Sequence, residues 1–507
     1  MAVRQLASQV ESEASLERLL VRIADRSARI GVVGLGYVGL PLAVEFAHEF
    51  NVVGFDTDPR KIEKISNGES YIMDVPGERL AAQVESGKFS GTVDYNRLAD
   101  CDAIVICVPT PLEKSKSPDL SYVESVSHVV AKMLRPGQLV VLESTTYPGT
   151  TDELLLPLFT KGGLELDRDF LLAFSPERID PGNTSFKLTE IPKVVGGCSV
   201  ASTNAASMLY GTIMQSVHPV STARAAEAAK LLENTFRLVN IGLANEMALL
   251  CHQLGMDANE VIEAAATKPF GFMPFYPGPG VGGHCIPLDP LYLSWKAKQQ
   301  GFISHFIALA DEVNSAMPSH IVQLTTGALN DRSKSLRGSR ILLVGVAYKE
   351  NIDDTRQTPA IPILDRLRAQ GANVVYYDPL VPFLEVDLRE WPEWRPRRVF
   401  HVAYHRRRAD AGTERRQRDG DRQAQSGAFV VRRSATGNAN ARRRHDGLRS
   451  VELTDEEIAR ADCVIICTAH SGVDYGRIAR IADVIIDTRN ALDDEQRKNA
   501  RGIVVRL

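Results

Sequence analysis

The chain has 507 residues, 44% of them hydrophobic, and a formal net charge of −4. This length predicts two to three domains, and the nearly balanced charge gives no general attraction to nucleic acid or to a membrane surface. No apolar run approaches the roughly 18 residues that span a bilayer, and the N-terminus lacks the apolar core of a signal peptide. Seven scattered cysteines without a CxxC pair predict neither a disulfide framework nor a metal site and favour a reducing, cytoplasmic location.

Strand and helix signals alternate through the first 215 residues. An amphipathic helix around Leu16 to Ile23 precedes residues 29–56, which read as strand, turn, helix and strand. Further apolar strand signals follow at 103–108, 139–142, 171–174 and 193–195. Such alternation is typical of a doubly wound, mostly parallel sheet, so we expect an α/β domain of the Rossmann type over residues 1–215.

The pattern changes between residues 216 and 328. Residues 225–251 are rich in Ala, Leu and Glu and contain no proline, which predicts a long helix within a mostly helical central section. Strand signals return at 339–345, 373–378, 463–468 and 484–487. We therefore expect a second α/β domain over 329–507, whose turn at Gly345 lacks the full GxGxxG pattern of a dinucleotide site.

An Arg-rich segment between about residues 390 and 448 interrupts this second domain. Residues 395–449 hold 16 arginines and no lysine, and apolar periodicity is lost there. Three interpretations stay open: a disordered basic insertion, a nucleic-acid-binding arm, or sequence read in a shifted frame. We favour a shifted frame or a recent insertion, because ordered signals resume abruptly at Val451, and we expect no nucleic-acid partner.

The turn after the first strand reads Gly34-Leu-Gly36-Tyr-Val-Gly39. The first glycine permits a tight turn, the second lets the backbone approach a pyrophosphate, and the third allows close packing of the helix on the strand. Asp56 ends the next strand, where a carboxylate binds the ribose hydroxyls of NAD and repels the extra phosphate of NADP. The spacing predicts an NAD site, and a tight turn without a ligand is the alternative.

Two groups further along could supply chemistry. Lys230 and Asn234 stand at i, i+4 and share a helix face, where an ammonium and an amide together can stabilise an oxyanion. Cys285 lies in a glycine-rich loop with Asp289 four residues on, and a thiol beside a hydride acceptor suggests oxidation through a thioester. By spacing alone, a solvated lysine is the simpler explanation of Lys230, a small residue packed in a tight loop explains Cys285 equally well, and His284 is more simply structural.

Taken together, the motifs resemble the nucleotide-sugar 6-dehydrogenases of the UDP-glucose/GDP-mannose dehydrogenase family. The resemblance covers about residues 25–385 and 451–490, and its marks are Gly34–Pro41, Val108–Pro111, Glu143–Thr146, Ser175–Arg178, Lys230–Asn234, Gly282–Asp289 and Lys349–Arg356. Residues 267–278 look like the branch that acts on UDP-N-acetylglucosamine. The resemblance implies an N-terminal NAD domain, a central all-helical domain that builds a homodimer or higher oligomer, and a C-terminal Rossmann-like UDP-binding domain.

The resemblance also implies residue roles. Cys285 would capture a C6 aldehyde, Lys230 and Asn234 would stabilise the oxyanion, and Asp289 would assist Lys230 and a water that Thr145 holds. Glu177 would be a general acid/base. Cofactor contacts would be Gly34, Gly36, Tyr37, Val38, Gly39, Asp56, Arg60, Thr110, Glu143 and Thr145. The UDP-sugar would contact Glu177, Lys230, Asn234, Tyr276, Gly282, Lys349, Arg356 and, as a weaker candidate, Arg489.

Three alternatives remain. UDP-glucose or UDP-N-acetylmannosamine could be the sugar nucleotide instead of UDP-N-acetylglucosamine. A single-step 3-hydroxyacid dehydrogenase shares the Rossmann domain and the helical Lys and Asn, but it would lack the second α/β domain and Cys285. A protein that binds UDP-sugar or NAD without turnover would result if the Arg-rich segment disables catalysis.

Overall fold

The computed structural model describes residues 14–72, 74–113, 115–178, 186–386 and 447–507. Within these ranges the chain forms two α/β units joined by long helices. The Arg-rich segment at 390–448 lies outside the described residues, except for Gly447 and Leu448 at its end.

The N-terminal unit is built on one eight-stranded sheet. Its strands are β1 (Arg29–Val33), β2 (Asn51–Phe55), β3 (Phe89–Thr92), β4 (Ala103–Ile106), β5 (Gln138–Leu142), β6 (Phe170–Phe174), β7 (Lys193–Gly197) and β8 (Val217–Val220). The order is β3-β2-β1-β4-β5-β6-β7-β8, and the described pairs are parallel except β6 with β7. The mostly parallel sheet is confirmed, and β8 extends it beyond residue 215. Because the order reverses between β1 and β4, a ligand crevice is expected beyond the carboxyl ends of these two strands.

Helices cover both faces of this sheet. They are α1 (14–24), α2 (Gly39–Glu49), α3 (Pro59–Ser66), α4 (Gly77–Glu85), α5 (Ser121–Met133), α6 (Leu156–Thr160) and α7 (Val200–Tyr210). Strand β1 shows why: Ile30 and Val32 pack into one apolar cluster and Val33 into another. Strands that are apolar on both sides are typical of a sheet buried between two helical layers.

The central helices are α8 (Ala223–Leu254), α9 (Ala258–Ala266), α10 (Asp289–Gln299) and α11 (His305–Asp331). The Thr222 side chain caps α8 by accepting a hydrogen bond from the Ala225 N–H (3.1 Å), and Gly255, with φ 69°, ends it. The long helix predicted at 225–251 is therefore confirmed, and it spans 32 residues.

The C-terminal unit contains β9 (Arg340–Val344), α12 (Ala360–Ala369), β10 (Asn373–Tyr377), β11 (Phe383–Glu385), β12 (Gly447–Arg449), α13 (Asp455–Arg460), β13 (Cys463–Ile466), α14 (Tyr475–Ile481), β14 (Val484–Asp487), α15 (Asp494–Lys498) and β15 (Ile503–Arg506). Five strands form a parallel sheet in the order β10-β9-β13-β14-β15. Strands β11 and β12 pair antiparallel, with Glu385 opposite Gly447. The chain therefore leaves and re-enters the described fold at adjacent points, on either side of the Arg-rich segment.

Among the residues described, no helix is both long and apolar enough to cross a bilayer. The same ranges contain no group of three or more His, Cys, Asp or Glu side chains arranged to hold a metal ion.

Candidate active site

The glycine-rich turn lies between β1 and α2, at the reversal of strand order. Gly34 has φ 91°, and a Cβ there would lie 2.5 Å from the carbonyl oxygen of Cys107. A Cβ on Gly39 would lie 1.8 Å from the Gly34 oxygen, whereas a Cβ on Gly36 would meet nothing within 4 Å. The turn is therefore tight at two glycines and open at the third, which is what a pyrophosphate needs at a helix N-terminus.

Asp56 follows β2 with its carboxylate turned toward this turn. Its oxygens accept hydrogen bonds from the backbone N–H groups of Leu35 and Asp58, both at 3.0 Å, and from the Lys61 ammonium at 2.8 Å. A carboxylate fixed beside the turn is placed as the dinucleotide fold requires for the ribose hydroxyls. Sequence analysis missed Lys61, although its position five residues after Asp56, in the next helix, was available as a signal.

The other predicted cofactor contacts Val38, Thr110 and Arg60 differ in how far they are buried. Val38 is the N-cap residue before α2 and packs against the core, and the buried Thr110 accepts a hydrogen bond at its carbonyl from the Tyr292 hydroxyl (3.0 Å). The Arg60 side chain is 85% exposed and pairs with Asp58 at 2.8 Å. Arg60 would have to leave this partner to reach a bound cofactor.

A cavity of about 360 Å³ lies between α8, the glycine-rich loop before α10, and the C-terminal unit. It gathers most of the residues predicted to bind or transform a sugar nucleotide. Those residues are Lys230, Asn234, Tyr276, Gly282, Cys285, Lys349, Arg356 and Arg489.

At one side of the cavity, α8 and α10 bring the reactive side chains together. Lys230 and Asn234 are both buried on one face of α8, and the Asn234 amide donates a hydrogen bond to the Asp289 carboxylate at 2.5 Å. Asp289 is the first residue of α10, and its N–H bonds the carbonyl of Cys285 at 2.8 Å. Four of the six residues predicted to be catalytic, Lys230, Asn234, Cys285 and Asp289, thus lie in one cluster.

Desolvation sets the protonation states in this cluster. Cys285 is exposed toward the cavity, yet the surrounding protein desolvates its thiol and raises the pKa, and the Asp289 charge adds to this effect, so the thiol is protonated at neutral pH. Burial also raises the pKa of Asp289 to about 6. The positive charge of Lys230 opposes both shifts. The neighbouring His284 lines the cavity, and burial lowers its pKa, which keeps its imidazole neutral at pH 7.

The loop that carries Cys285 is pressed against the C-terminal unit. A Cβ on Gly282 would lie 2.7 Å from the Cβ of Tyr348, and one on Gly283 would lie 2.8 Å from the ring of the same tyrosine. The Gly283 N–H donates to the carbonyl oxygen of Arg356 at 3.0 Å. The position of the thiol therefore depends on contacts between two domains.

The C-terminal unit supplies cations to the far end of the cavity. The Arg356 guanidinium forms hydrogen bonds of 2.6 to 3.0 Å with Asp354 and lies 5.1 Å from the ring centroid of Tyr37 in the glycine-rich turn. Lys349 and Arg489 line the cavity beside it, and the Arg489 guanidinium donates to the Cys467 carbonyl at 2.9 Å. Guanidinium and ammonium groups together suit the oxygens of a diphosphate.

Three of the predicted catalytic residues are absent from the described lining of this cavity: Asp289, which contacts it through Asn234, and Glu177 and Thr145. Thr145 is half-buried in the segment after β5. The Glu177 carboxylate is buried and pairs with the Lys193 ammonium at 3.1 Å, and Lys193 also pairs with the buried Glu143. Burial of the Glu143 side chain means that a direct cofactor contact would require it to move. The Tyr210 hydroxyl donates to Glu143 at 2.5 Å.

Sequence analysis missed Arg178, Lys193 and Tyr210. Arg178 lines the cavity and forms an ion pair of 2.7 Å with Glu233, the residue before Asn234 on α8. Lys193 carried a signal, since it is a charged residue at the start of an otherwise apolar strand. Tyr210 carried none, because its partner is 67 residues away.

Comparison with known proteins matches three consecutive parts of this chain to the three domains of one family. Residues 28–214 match the NAD binding domain of the UDP-glucose/GDP-mannose dehydrogenase family, 224–316 its central domain and 342–408 its UDP binding domain. The chain belongs to this family. Its membership confirms the predicted fold class and makes the protein an NAD-dependent nucleotide-sugar dehydrogenase whose cofactor is NAD and whose substrate is a UDP-sugar.

The similar proteins include dehydrogenases for two N-acetylated UDP-sugars. The chain is 38% identical over 358 residues to UDP-N-acetyl-D-glucosamine 6-dehydrogenase of Pseudomonas aeruginosa, covering 70% of this chain and 84% of the relative. It is 39% identical over 355 residues to UDP-N-acetyl-D-mannosamine dehydrogenase of Pyrococcus horikoshii, with the same coverage. The solved UDP-D-ManNAc dehydrogenase from Pyrococcus horikoshii superimposes with a TM-score of 0.76 and 31% identity, covering 94% of this chain and 98% of that one.

Proposed function

We propose that this enzyme oxidises the C6 alcohol of UDP-N-acetylglucosamine to the uronic acid, with two molecules of NAD per sugar. The observation that carries the proposal is the cavity in which Cys285, Lys230 and Asn234 face one region and Lys349 and Arg356 face another. A thiol next to oxyanion donors suits carbonyl chemistry, and a cationic end suits a diphosphate.

Cation and loop contacts would fix the substrate. Lys349 and Arg356 would hold the UDP oxygens, and Tyr276 with the loop at Gly282 would lie along the sugar. When bound, NAD would supply the hydride acceptor for both oxidations. The open approach at Gly36 and the carboxylate of Asp56 fit that cofactor.

The chain's own residues would carry the covalent steps. Lys230 and Asn234 stabilise the C6 oxygen as negative charge develops on it. The Cys285 sulfur then bonds to the aldehyde carbon while the aldehyde oxygen gains a proton, giving a thiohemiacetal. Loss of the second hydride and of that hydroxyl proton leaves a thioester. Water adds to the thioester carbon, the C–S bond breaks, and the sulfur regains its proton.

Three carboxyl and hydroxyl groups would manage protons and water. Asp289, with a pKa of about 6, is ionised at neutral pH and would assist Lys230 and the attacking water. Glu177 would act as the general acid/base and Thr145 would hold the water. General acid–base help of this kind contributes roughly 10²–10⁴ in rate.

The choice of sugar rests on the relatives and on residues 267–278. UDP-N-acetyl-D-glucosamine 6-dehydrogenases of Pseudomonas aeruginosa and Salmonella typhi are 38% and 36% identical to this chain. UDP-N-acetylmannosamine is the second candidate, since the Pyrococcus horikoshii dehydrogenase for that sugar is 39% identical. UDP-glucose is the third, because a UDP-glucose dehydrogenase from Pyrobaculum islandicum superimposes with a TM-score of 0.74 at 26% identity.

We further propose that the enzyme is a cytoplasmic homodimer or higher homo-oligomer. An apolar groove of about 780 Å³ runs along α8 and α9, lined by Leu243, Met247 and Val261 among others. Large apolar surfaces of this kind are usually buried between chains. A second copy of the chain would cover it, and a monomeric mass in sedimentation would contradict this. Seven free cysteines favour a reducing compartment.

The test is the yield of NADH per mole of UDP-N-acetylglucosamine, with UDP-N-acetylmannosamine and UDP-glucose in parallel. Two NADH on the first sugar, and little on the others, are expected. Cys285→Ala should abolish acid formation. One NADH per sugar would contradict the four-electron route, and none on any sugar, in a folded protein that binds NAD, would favour the alternative of a binding protein without turnover.

A further inference from the structure

A buried cluster of charged side chains lies beneath the loop that carries Glu177. Lys193, at the start of β7, has a side chain only 3% exposed, and its ammonium pairs with Glu177 at 3.1 Å and with Glu143 after β5. The Tyr210 hydroxyl of α7 donates to Glu143 at 2.5 Å. One ammonium is therefore shared by two buried carboxylates.

Such a cluster is not explained by stability. Removing two carboxylates and an ammonium from water has a desolvation penalty that their attraction often fails to exceed, and apolar replacements are frequently as stable. The cluster sits at the carboxyl ends of β5 and β6, the edge of the sheet where this fold binds its ligands. Its position points to a role in the chemistry near Glu177.

Glu177 is close to the catalytic cavity through its neighbour. The side chain of Arg178 lines the cavity and pairs with Glu233 at 2.7 Å, on the helix that carries Lys230 and Asn234. The Arg178 N–H donates to one Glu177 oxygen at 2.6 Å, and Lys193 holds the other. The Glu177 carboxylate is thus fixed at both oxygens.

We propose that Lys193 is a positioning residue that keeps the Glu177 carboxylate ionised and oriented for proton transfer, and that Glu143 limits this effect by sharing the ammonium. The proposal rests on the proposed function, in which Glu177 is the general acid/base. It assigns opposite electrostatic effects on Glu177 to two residues that are both buried and both outside the cavity.

The charges facing Glu177 set the direction of each effect. Among the described residues, Lys193 is a cation that pairs with Glu177, Glu143 is an anion that shares this ammonium, and Tyr210 and Cys107 are neutral neighbours of the cluster. Burial raises the pKa of Glu143 and the Lys193 ammonium lowers it again, while the two carboxylates raise the pKa of Lys193 despite burial. Lys193 therefore stays charged, and its charge is shared by the two carboxylates.

The test compares, in three single variants, the part of the acid limb of the pH profile of kcat/KM that Glu177→Gln removes, because Asp289, with a pKa of about 6, titrates in the same range. Lys193→Met removes the cation and should move this limb upward by about one pH unit or more, with roughly a tenfold lower rate per unit below it. Glu143→Gln removes the competing anion and should move the limb downward. Lys193→Arg keeps the charge and should restore most of the rate, which lost packing alone would not predict.

Glu227→Gln is the matched control for losing a buried carboxylate. Glu227 is also fully buried with a pKa raised to about 7 by burial, but its partners are the N–H groups of Gly149 and Thr151 and the Thr151 hydroxyl, none of them charged. It should leave the acid limb in place even if the thermal midpoint falls. Shifts of the same sign in Lys193→Met and Glu143→Gln, or no shifts, would overturn the proposal.

Two further outcomes separate this proposal from the proposed function. If the wild type yields two NADH but Glu177→Gln keeps the full rate and profile, the proposed function survives and the role of Lys193 is refuted. If no UDP-sugar is oxidised, infrared difference spectra against Glu177→Gln report the titration of that carboxyl directly. The same opposite shifts are then expected, and their absence refutes the electrostatic assignment.

Discussion

Asp289→Asn removes a buried carboxylate while keeping the shape of the side chain. Asp289 is 3% exposed, and burial raises its pKa from 3.8 to about 6. One pKa unit corresponds to about 1.4 kcal/mol, so the ionised carboxylate destabilises the fold by about 3 kcal/mol above pH 6. The Asn variant avoids this penalty and still has a side-chain oxygen to accept the Asn234 hydrogen bond.

The sign of the pH dependence follows from the direction of the shift. A carboxyl whose pKa is higher in the folded state contributes stability below about pH 4, and this contribution is lost as the pH rises through 6. Wild type and Asp289→Asn should therefore have similar stability near pH 4. By pH 8 the variant should be more stable by about 3 kcal/mol, or roughly 6–12 °C in the thermal midpoint of the affected domain. Its NADH output should fall by about 100-fold or more, because the proton-handling carboxylate is gone.

The assay is thermal unfolding of both proteins between pH 4 and pH 8, with NADH formation measured on the same samples. Asp378→Asn is the control with the opposite sign. Asp378 is also 3% exposed, yet hydrogen bonds from His470 and from backbone N–H groups outweigh burial and lower its pKa. That variant should be destabilised at neutral pH and less so in acid. Equal midpoints for wild type and Asp289→Asn at every pH would refute the reasoning.

Two other predictions concern contacts between distant parts of the chain. The Tyr37 ring beneath the Arg356 guanidinium joins the predicted NAD turn to the predicted UDP end of the cavity, so we expect each ligand to strengthen the binding of the other. Tyr37→Leu removes this interaction of about 0.5–1 kcal/mol at an exposed site and should reduce that enhancement about two- to fivefold. Tyr37→Phe should preserve it, and titrations of NADH with and without UDP decide. Replacing residues 387–446 by a short Asn-Gly loop should preserve circular dichroism and NADH output, because Glu385 already pairs with Gly447. Loss of folding would contradict this, and activity gained only on deletion would identify the segment as disabling.

Local spacing was enough to place several of the predicted site residues next to one another. The glycine-rich turn and Asp56 lie within one β-α-β unit, and Lys230 with Asn234 lie one helical turn apart, so periodicity alone placed each pair. Cys285 and Asp289 are joined by a single helical turn, in which the Asp289 N–H bonds the Cys285 carbonyl. In each of these pairs the two residues are close in sequence, so their spacing predicts that they are also close in space.

Contacts between residues that are far apart in the chain could not be predicted from the sequence. Lys193 and Glu143 form an ion pair although they are 50 residues apart, and β6 lies between β7 and β5 in the sheet. The contact between Tyr37 and Arg356 joins two domains and depends on how the C-terminal unit docks. Neither partner of such a pair carries a local pattern, although a charged residue opening the apolar strand β7 was a partial signal.

The turn after β9 in the C-terminal unit has the same hydrogen-bond geometry as the glycine-rich turn after β1, but a side chain blocks the approach to it. Val346 N–H bonds the Asp378 carboxylate at 2.7 Å, as Leu35 N–H bonds Asp56 in the first unit. The place of the open Gly36 is taken by Ala347, which is fully buried. A pyrophosphate therefore has no approach to this second turn.

One dinucleotide turn must then serve both oxidations that the proposed function requires. The first NADH has to leave and a second NAD has to bind while the sugar stays at the aldehyde level. A carbon–sulfur bond to Cys285 would retain the aldehyde during that exchange, whereas a freely bound aldehyde could escape whenever the NAD site opens. The covalent step thus follows from having two oxidations and a single open glycine turn in the described fold, independently of any need to activate the carbonyl.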